Sequence, residues 1–191
     1  WLAECLGSSP VLLSRSGRLG QGAEQHWDRL SIRDSAASVE LCDVACCEEV
    51  QQQVERCTRG LVHSAGVLAN ALLLNQTQAG LQRVWAPKAE AAWSLHQASQ
   101  QEELDVFVLF SSVAALLGGA GQANYAAANA CLDGLARLRR AEGLAGTSIQ
   151  WGAWAGSGMA VSSGVVGQLE AQGLGAVTEE KGLCALELGL V

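Results

Sequence analysis

Positive charge, proline, histidine and tyrosine are all in short supply in this sequence. Twelve Lys and Arg face nineteen Asp and Glu, a formal net charge of −7, which excludes a nucleic-acid binder that works by neutralising phosphates. Two prolines beside 22 glycines and many aliphatic residues suit a compact α/β domain and argue against disorder. Histidine occurs only as His26, His63 and His96, far in sequence from seven cysteines that form no C-x-x-C pair; no metal site is expected. An odd cysteine count that includes adjacent Cys46 and Cys47 fits a reducing compartment, and a cytoplasmic location is expected. Charge is missing altogether from residues 106–132, which on length alone suggests a membrane span. Ser111, Ser112, Gln122, Asn124, Asn129 and three glycines interrupt that stretch, and desolvating those polar groups in lipid is costly. It reads as a buried strand, a glycine loop and a buried helix, with no membrane span.

What is present is an alternation. Short apolar runs at 11–13, 38–42, 60–63, 106–110 and 148–151 are separated by stretches of helical spacing at 21–30, 48–57, 79–99 and 122–142. Strands divided by helix-length connections predict βαβ units, a mostly parallel sheet and helices on both faces. The 191 residues amount to one domain, with a Gly- and Ser-rich lid expected at 155–172 and a last helix at about 178–190, N-capped by Thr178. Residues 1–6 look like the tail of a helix and carry no initiating Met, so the chain is expected to start in mid-fold. In open sheets of this kind ligands sit beyond the carboxyl ends of the strands, which directs attention to the residues that follow each run.

One constellation there carries chemistry. The run 107–110 ends in Ser111 and Ser112; thirteen residues after Ser112 comes Tyr125, the only tyrosine, with Asn129 four further on and Lys88 twenty-four before Ser112. Spacing of four puts Tyr125 and Asn129 on one helix face. A ketone receiving hydride needs a proton for its developing alkoxide. A phenol with a pKa of about 10 is a sluggish donor, and a nearby ammonium is expected to lower that value. Lys88 supplies the ammonium, Ser112 a hydrogen bond to the carbonyl oxygen, and Asn129 orients the lysine or a relaying water. Singly, each residue has a structural explanation; together the four spacings point to one site.

The segments Leu109-Phe110-Ser111-Ser112-Val113-Ala114-Ala115 and Gly121-Gln122-Ala123-Asn124-Tyr125-Ala126-Ala127-Ala128-Asn129-Ala130 resemble the signature of ketoreductase domains in modular polyketide and fatty-acid synthases, within the short-chain dehydrogenase/reductase superfamily. Most of that superfamily carries lysine four residues after the tyrosine; the synthase ketoreductases resemble this chain, with asparagine there and lysine upstream. Gln150-Trp151-Gly152-Ala153-Trp154 and Gly158-Met159-Ala160 are similar to the family's segment after the sixth strand. The resemblance implies a Rossmann-like doubly wound parallel sheet and NADPH as cofactor. It also implies a β-ketoacyl thioester held by phosphopantetheine on an acyl carrier protein, with other synthase domains as partners. By the same resemblance Ser14, Arg15 and Ser16 select NADPH, Arg15 gripping the adenosine 2′-phosphate. Asp43 and Val44 meet the adenine, although Asp43 equally suits a turn cap. Ser64, Ala65 and Gly66 pass the nicotinamide ribose, with Gly66 letting backbone approach the cofactor. His63 is read as a support of the fold rather than a proton carrier.

The chain departs from the family pattern at its start. The opening strand and Gly-rich pyrophosphate turn are missing, and that strand normally lies between those represented by 11–13 and 60–63. Two markers of product stereochemistry are uninformative, because Leu68-Ala69-Asn70 and Leu117 stand where the family's diagnostic residues are expected. The reductase reading therefore has an alternative, a non-catalytic structural ketoreductase fragment of a megasynthase, and a weaker third, a free-standing reductase of small ketones.

Overall fold

The computed structural model describes residues 9–19, 23–33, 37–56, 59–155, 167 and 173–190. Five strands and their intervening helices alternate as the apolar runs predict. In chain order they are β1 (Val11–Ser14), α1 (Glu24–Arg33), β2 (Ser38–Leu41), α2 (Cys47–Arg56) and β3 (Gly60–His63). A 3₁₀ turn at Leu73–Asn75 leads to α3 (Gln78–Trp85), a π-helical turn (Ala86–Glu90) and α4 (Ala91–Ala98). Then come β4 (Val106–Ser112), α5 (Ala114–Leu117), α6 (Ala123–Ala141), β5 (Thr147–Trp151) and α7 (Glu179–Leu190).

All pairings are parallel. β1 pairs with β2, Ser14 opposite Leu41; β4 lies between β3 and β5, with His63 opposite Leu109 and Ser112 opposite Trp151. The two pieces share no strand pairing among the described residues. A common core nevertheless joins them. Leu13 and Cys42 from the first piece meet Val50 and Val54 of α2, Leu95 of α4, Phe107 and Leu109 of β4, and Leu132 and Leu135 of α6. On the opposite face Val106, Val108 and Trp151 pack against Leu186 of α7. Alternate residues of β4 thus point to helices on opposite sides, and the strand is apolar from Val106 to Phe110 because both faces are covered. Among the described residues no helix is long and apolar enough to cross a membrane.

Three details differ from the sequence-based expectation. β4 runs through both serines to Ser112 instead of stopping at 110. The glycine loop contains a short helix, α5. The helix expected over 79–99 is interrupted at Ala86–Glu90, where the N–H of Ala91 reaches back five residues to the Ala86 carbonyl. Pro87 has no N–H to donate and so breaks the α-helical ladder at this point. The expected lid at 155–172 lies outside the described residues apart from Ala155 and Gly167, and so do residues 1–6 and 158–160. Thr178 accepts from the Lys181 N–H at 3.4 Å, one turn into α7.

Candidate active site

Parallel pairing brings the carboxyl ends of all five strands to common edges, and the polar residues singled out in the sequence sit there. Ser111 and Ser112 alternate across the pleat. Buried Ser111 donates to the Asn129 carbonyl at 3.2 Å and ties β4 to α6, whereas Ser112 is half-buried and accepts from the Ala114 N–H at 3.2 Å. Tyr125 stands in the first turn of α6 and Asn129 one turn later, fully buried. The Asn129 amide Nδ2 donates to the Tyr125 carbonyl at 2.7 Å, and its Oδ1 has no hydrogen-bond partner.

Lys88 projects from the π-turn and is only 3% exposed. Its Nζ donates to the Phe110 carbonyl at 2.9 Å and lies 5.5 Å from the centre of the Tyr125 ring. The four residues, drawn from three separate segments of the sequence, therefore converge between the π-turn, β4 and α6. Burial pulls the Lys88 ammonium down to about 8, with the Asp133 carboxylate acting in the opposite direction. Asp133 is itself held by Ser148 at 2.6 Å and Gln150 at 2.7 Å, both on β5.

The tyrosine corrects one expectation. Its phenol is held above its ordinary range, not below it, because burial dominates; interactions with Ser112 and then Asn129 recover part of the shift. The contribution of Asn129 is the weaker kind, since its Nδ2 is already committed to the main chain and its Oδ1 is unpaired. Tyr125 is thus a protonated phenol throughout the neutral range, able to donate a proton but not to act as a resting base.

Two neighbours escaped the sequence reading. Asn124 is buried; its Nδ2 donates to the Ala69 carbonyl at 2.8 Å and more weakly to that of Gly80, and its Oδ1 accepts from the Tyr125 N–H at 2.8 Å. It fastens the start of α6 to the segment following β3. A polar residue directly before the tyrosine was the available signal. The carbonyl of Phe110, which anchors Lys88, has no signal in sequence because every residue has one.

The residues assigned to the cofactor lie along the same edges. The Ser14 hydroxyl donates to the Arg18 carbonyl at 3.0 Å, and the Arg18 N–H lies 3.2 Å from the Ser14 oxygen and 3.3 Å from that of Ser16. These bonds close a turn, helped by left-handed Gly17 at φ 61°. Arg15 is exposed on that turn and makes no ion pair with another described residue. Asp43 stands beside this turn, since the Cys42 N–H donates to the Ser14 carbonyl at 3.0 Å. One Asp43 oxygen accepts from the Ala45 N–H at 3.1 Å, so the cap role is realised. Val44 packs against the shared core, while Ser64 is exposed and Ala65 and Gly66 half-buried beyond β3. An exposed guanidinium beside hydroxyls, one strand from a carboxylate, could hold a phosphate group.

His63, at the end of β3, is 4% exposed, and its Nε2 has no hydrogen-bond partner. Burial and the neighbouring Lys88 charge lower its pKa to about 4, against hydrogen bonding from the Lys88 and Pro87 main chain. A histidine held neutral in the fold but free to protonate at about 6.5 when unfolded stabilises the protein fully above the unfolded value. That contribution is lost as pH falls from about 6.5 toward 4, on the order of 3 kcal/mol across the window. Buried His96 shifts the same way, through burial first and Arg139 second. Urea midpoints followed by tryptophan fluorescence are expected to drop steeply between pH 6.5 and 4 and to flatten in His63→Gln; an equal slope in the variant would remove His63 from the account.

Comparisons with known proteins agree with this geometry. The KR domain family model matches residues 1–156. The polyketide synthase GfsA of Streptomyces halstedii is 42% identical over 97% of this chain, and a phenolphthiocerol synthesis polyketide synthase type I of Mycobacterium marinum is 40% identical over 93%. The chain spans 3% and 9% of the lengths of those two relatives. Among solved structures, an A-type ketoreductase from a modular polyketide synthase superposes with a TM-score of 0.88 at 37% identity, covering 94% of this chain and 39% of the other. A short-chain dehydrogenase from Mycobacterium avium shares the fold alone, with a TM-score of 0.64 at 19% identity.

Proposed function

The chain belongs to the ketoreductase (KR) domain family of polyketide synthases, and we propose that it performs NADPH-dependent reduction of a β-ketoacyl thioester on an acyl carrier protein to the β-hydroxyacyl form. The observation that carries this reading is the convergence of Ser112, Tyr125, Asn129 and a buried Lys88 at the carboxyl end of β4. NADPH, when bound, supplies the hydride. Arg15, with Ser14 and Ser16, would hold its adenosine phosphate, Asp43 and Val44 its adenine, and Ser64 to Gly66 its ribose.

The chain's own groups then divide the proton chemistry. The Ser112 hydroxyl donates to the substrate carbonyl oxygen and fixes it beside Tyr125. The phenol of Tyr125 gives its proton to the oxygen as negative charge develops there. The Lys88 ammonium, anchored on the Phe110 carbonyl, faces the ring and stabilises the phenolate left behind. The unpaired Oδ1 of Asn129 is a free acceptor for a water that returns the proton. The carrier protein and the remaining synthase domains enter as partners because the named relatives are multidomain synthases many times longer than this chain.

The test is reduction of a soluble β-ketoacyl pantetheine thioester with NADPH, followed by nicotinamide absorbance and by isolation of the hydroxy product. No product with either this thioester or the carrier-bound form would reject the reading. The pH profile supplies a sharper criterion. Lys88 is charged below about 8 and neutral above it, while the raised phenol keeps its proton. Turnover should be flat below about pH 8 and fall about tenfold per unit above it, and Lys88→Met should remove that limb.

A further inference from the structure

Gly66 follows β3 by three residues, and the position of its missing side chain is occupied. A Cβ built there would stand 2.8 Å from Cε of Lys88 and 3.4 Å from its Nζ. Contacts at the shorter distance essentially never occur between real atoms, so one partner must move, and the one able to give is the flexible end of Lys88, to which burial leaves little room. Gly66 is not among the left-handed glycines of the described chain, so its backbone conformation does not require glycine. What requires glycine there is space.

We propose that Gly66 is a positioning residue for Lys88: the gap above its Cα is the passage through which the lysine stem reaches the Phe110 carbonyl. Three walls define that passage. The π-turn at Ala86–Glu90 sets where the stem begins, and Pro87 obliges the turn to open. The Phe110 carbonyl, 2.9 Å from Nζ, sets where it ends. Gly66 and buried His63, both from the segment leaving β3, close the side. A buried ammonium with one protein acceptor and little room has essentially one place to sit, which is what a charge facing a phenol ring whose centre is 5.5 Å away needs. The inference rests on the reading of Lys88 as the site lysine, but it makes a separate claim. The lysine requires the glycine whether or not the backbone there also approaches the cofactor.

Gly66→Ala tests the claim when made alone and in the Lys88→Ala background, with thermal midpoint, NADPH affinity by nicotinamide fluorescence, and turnover measured on the full chain. With the lysine present, the added methyl is expected to lower the midpoint by about 3 °C and turnover by about 10- to 100-fold. The pH limb from Lys88 should move upward as the ammonium leaves its buried seat. In the Lys88→Ala background the same substitution should leave the midpoint unchanged or slightly raised, because the clash partner is gone and Ala restricts the unfolded chain. Equal losses in both backgrounds would overturn the proposal, as would a loss of NADPH affinity independent of residue 88, or no effect in either. Because the midpoint reads the contact directly, this outcome stands apart from whether the chain reduces β-ketoacyl thioesters.

Discussion

Tyr125→Phe is expected to lower turnover of the β-ketoacyl thioester about a thousandfold while leaving the fold and the Michaelis constant close to those of the parent. The substitution removes one oxygen from a half-buried ring and no structural hydrogen bond to the main chain, since the bonds that hold this part of α6 run through the Tyr125 N–H and carbonyl. Stability therefore has little to lose. The chemistry has much to lose, because no other described group near Ser112 can take over. The Lys88 ammonium is anchored on the Phe110 carbonyl, and His63 is buried and held neutral. A positioned proton donor contributes about 10²- to 10⁴-fold, and a site of this kind retains only the polarising bond from Ser112 when the donor is gone. Single-turnover rates with saturating NADPH check the prediction. Undiminished rates would assign the proton to solvent and leave Tyr125 a packing residue.

The expectation behind that prediction was legible in sequence only in part. Spacing together with the family pattern singled out Lys88, Ser112, Tyr125 and Asn129, because a strand end and a helix face constrain where such residues project. All five strands were legible as well, β4 most plainly, since it is covered on both sides. What was not legible depends on groups that every residue possesses or on space that no residue occupies. The direction of the phenol's shift is an example. Sequence predicts an ammonium near a tyrosine, but whether its attraction or the desolvation of the ring prevails is decided by burial. The π-turn is another, for Pro87 announces a break in the ladder but not whether the chain ends, kinks or adds a residue there. Gly66 was read as leaving room for a cofactor, and nothing in the sequence signals that a side chain there would also meet Lys88.

Arg139 was entirely illegible, and it carries the largest expected effect on stability. A basic residue in the last turn of a helix is ordinarily solvated and favours the helix dipole, yet Arg139 is 0% exposed. Its guanidinium lies 3.8 Å from the centre of the Phe107 ring. Nε donates to the Ala145 carbonyl at 2.6 Å, and Nη1 reaches Ser99 Oγ and His96 Nδ1, each at 3.1 Å. One side chain thus joins the α6–β5 connection, the end of α4 and the core face of β4. Nη1 can only donate, so its bond to Nδ1 requires the His96 proton on Nε2, and the Gln100 side chain, whose nitrogen lies 3.2 Å from Nε2, must then turn its oxygen to that proton. Arg139→Ala is expected to destabilise the fold by roughly 3–5 kcal/mol, because it opens a cavity and leaves the Ala145 carbonyl without its donor. Arg139→Lys should recover only part of this, since an ammonium cannot reproduce the planar fork. Urea unfolding at pH 7 measures both, and a loss below about 1 kcal/mol for Ala, the range of an ordinary surface change, would show the guanidinium to be solvated. The charge also makes a second, independent demand. Arg139 is one of the groups that keep His96 from protonating, so replacing it with Met should raise the His96 pKa toward its unfolded value. The part of the acid destabilisation due to His96, which sets in as pH falls below about 6.5, should then become shallower. A steeper acid slope in Arg139→Met would mean that the two side chains do not share the contact that their geometry assigns to them.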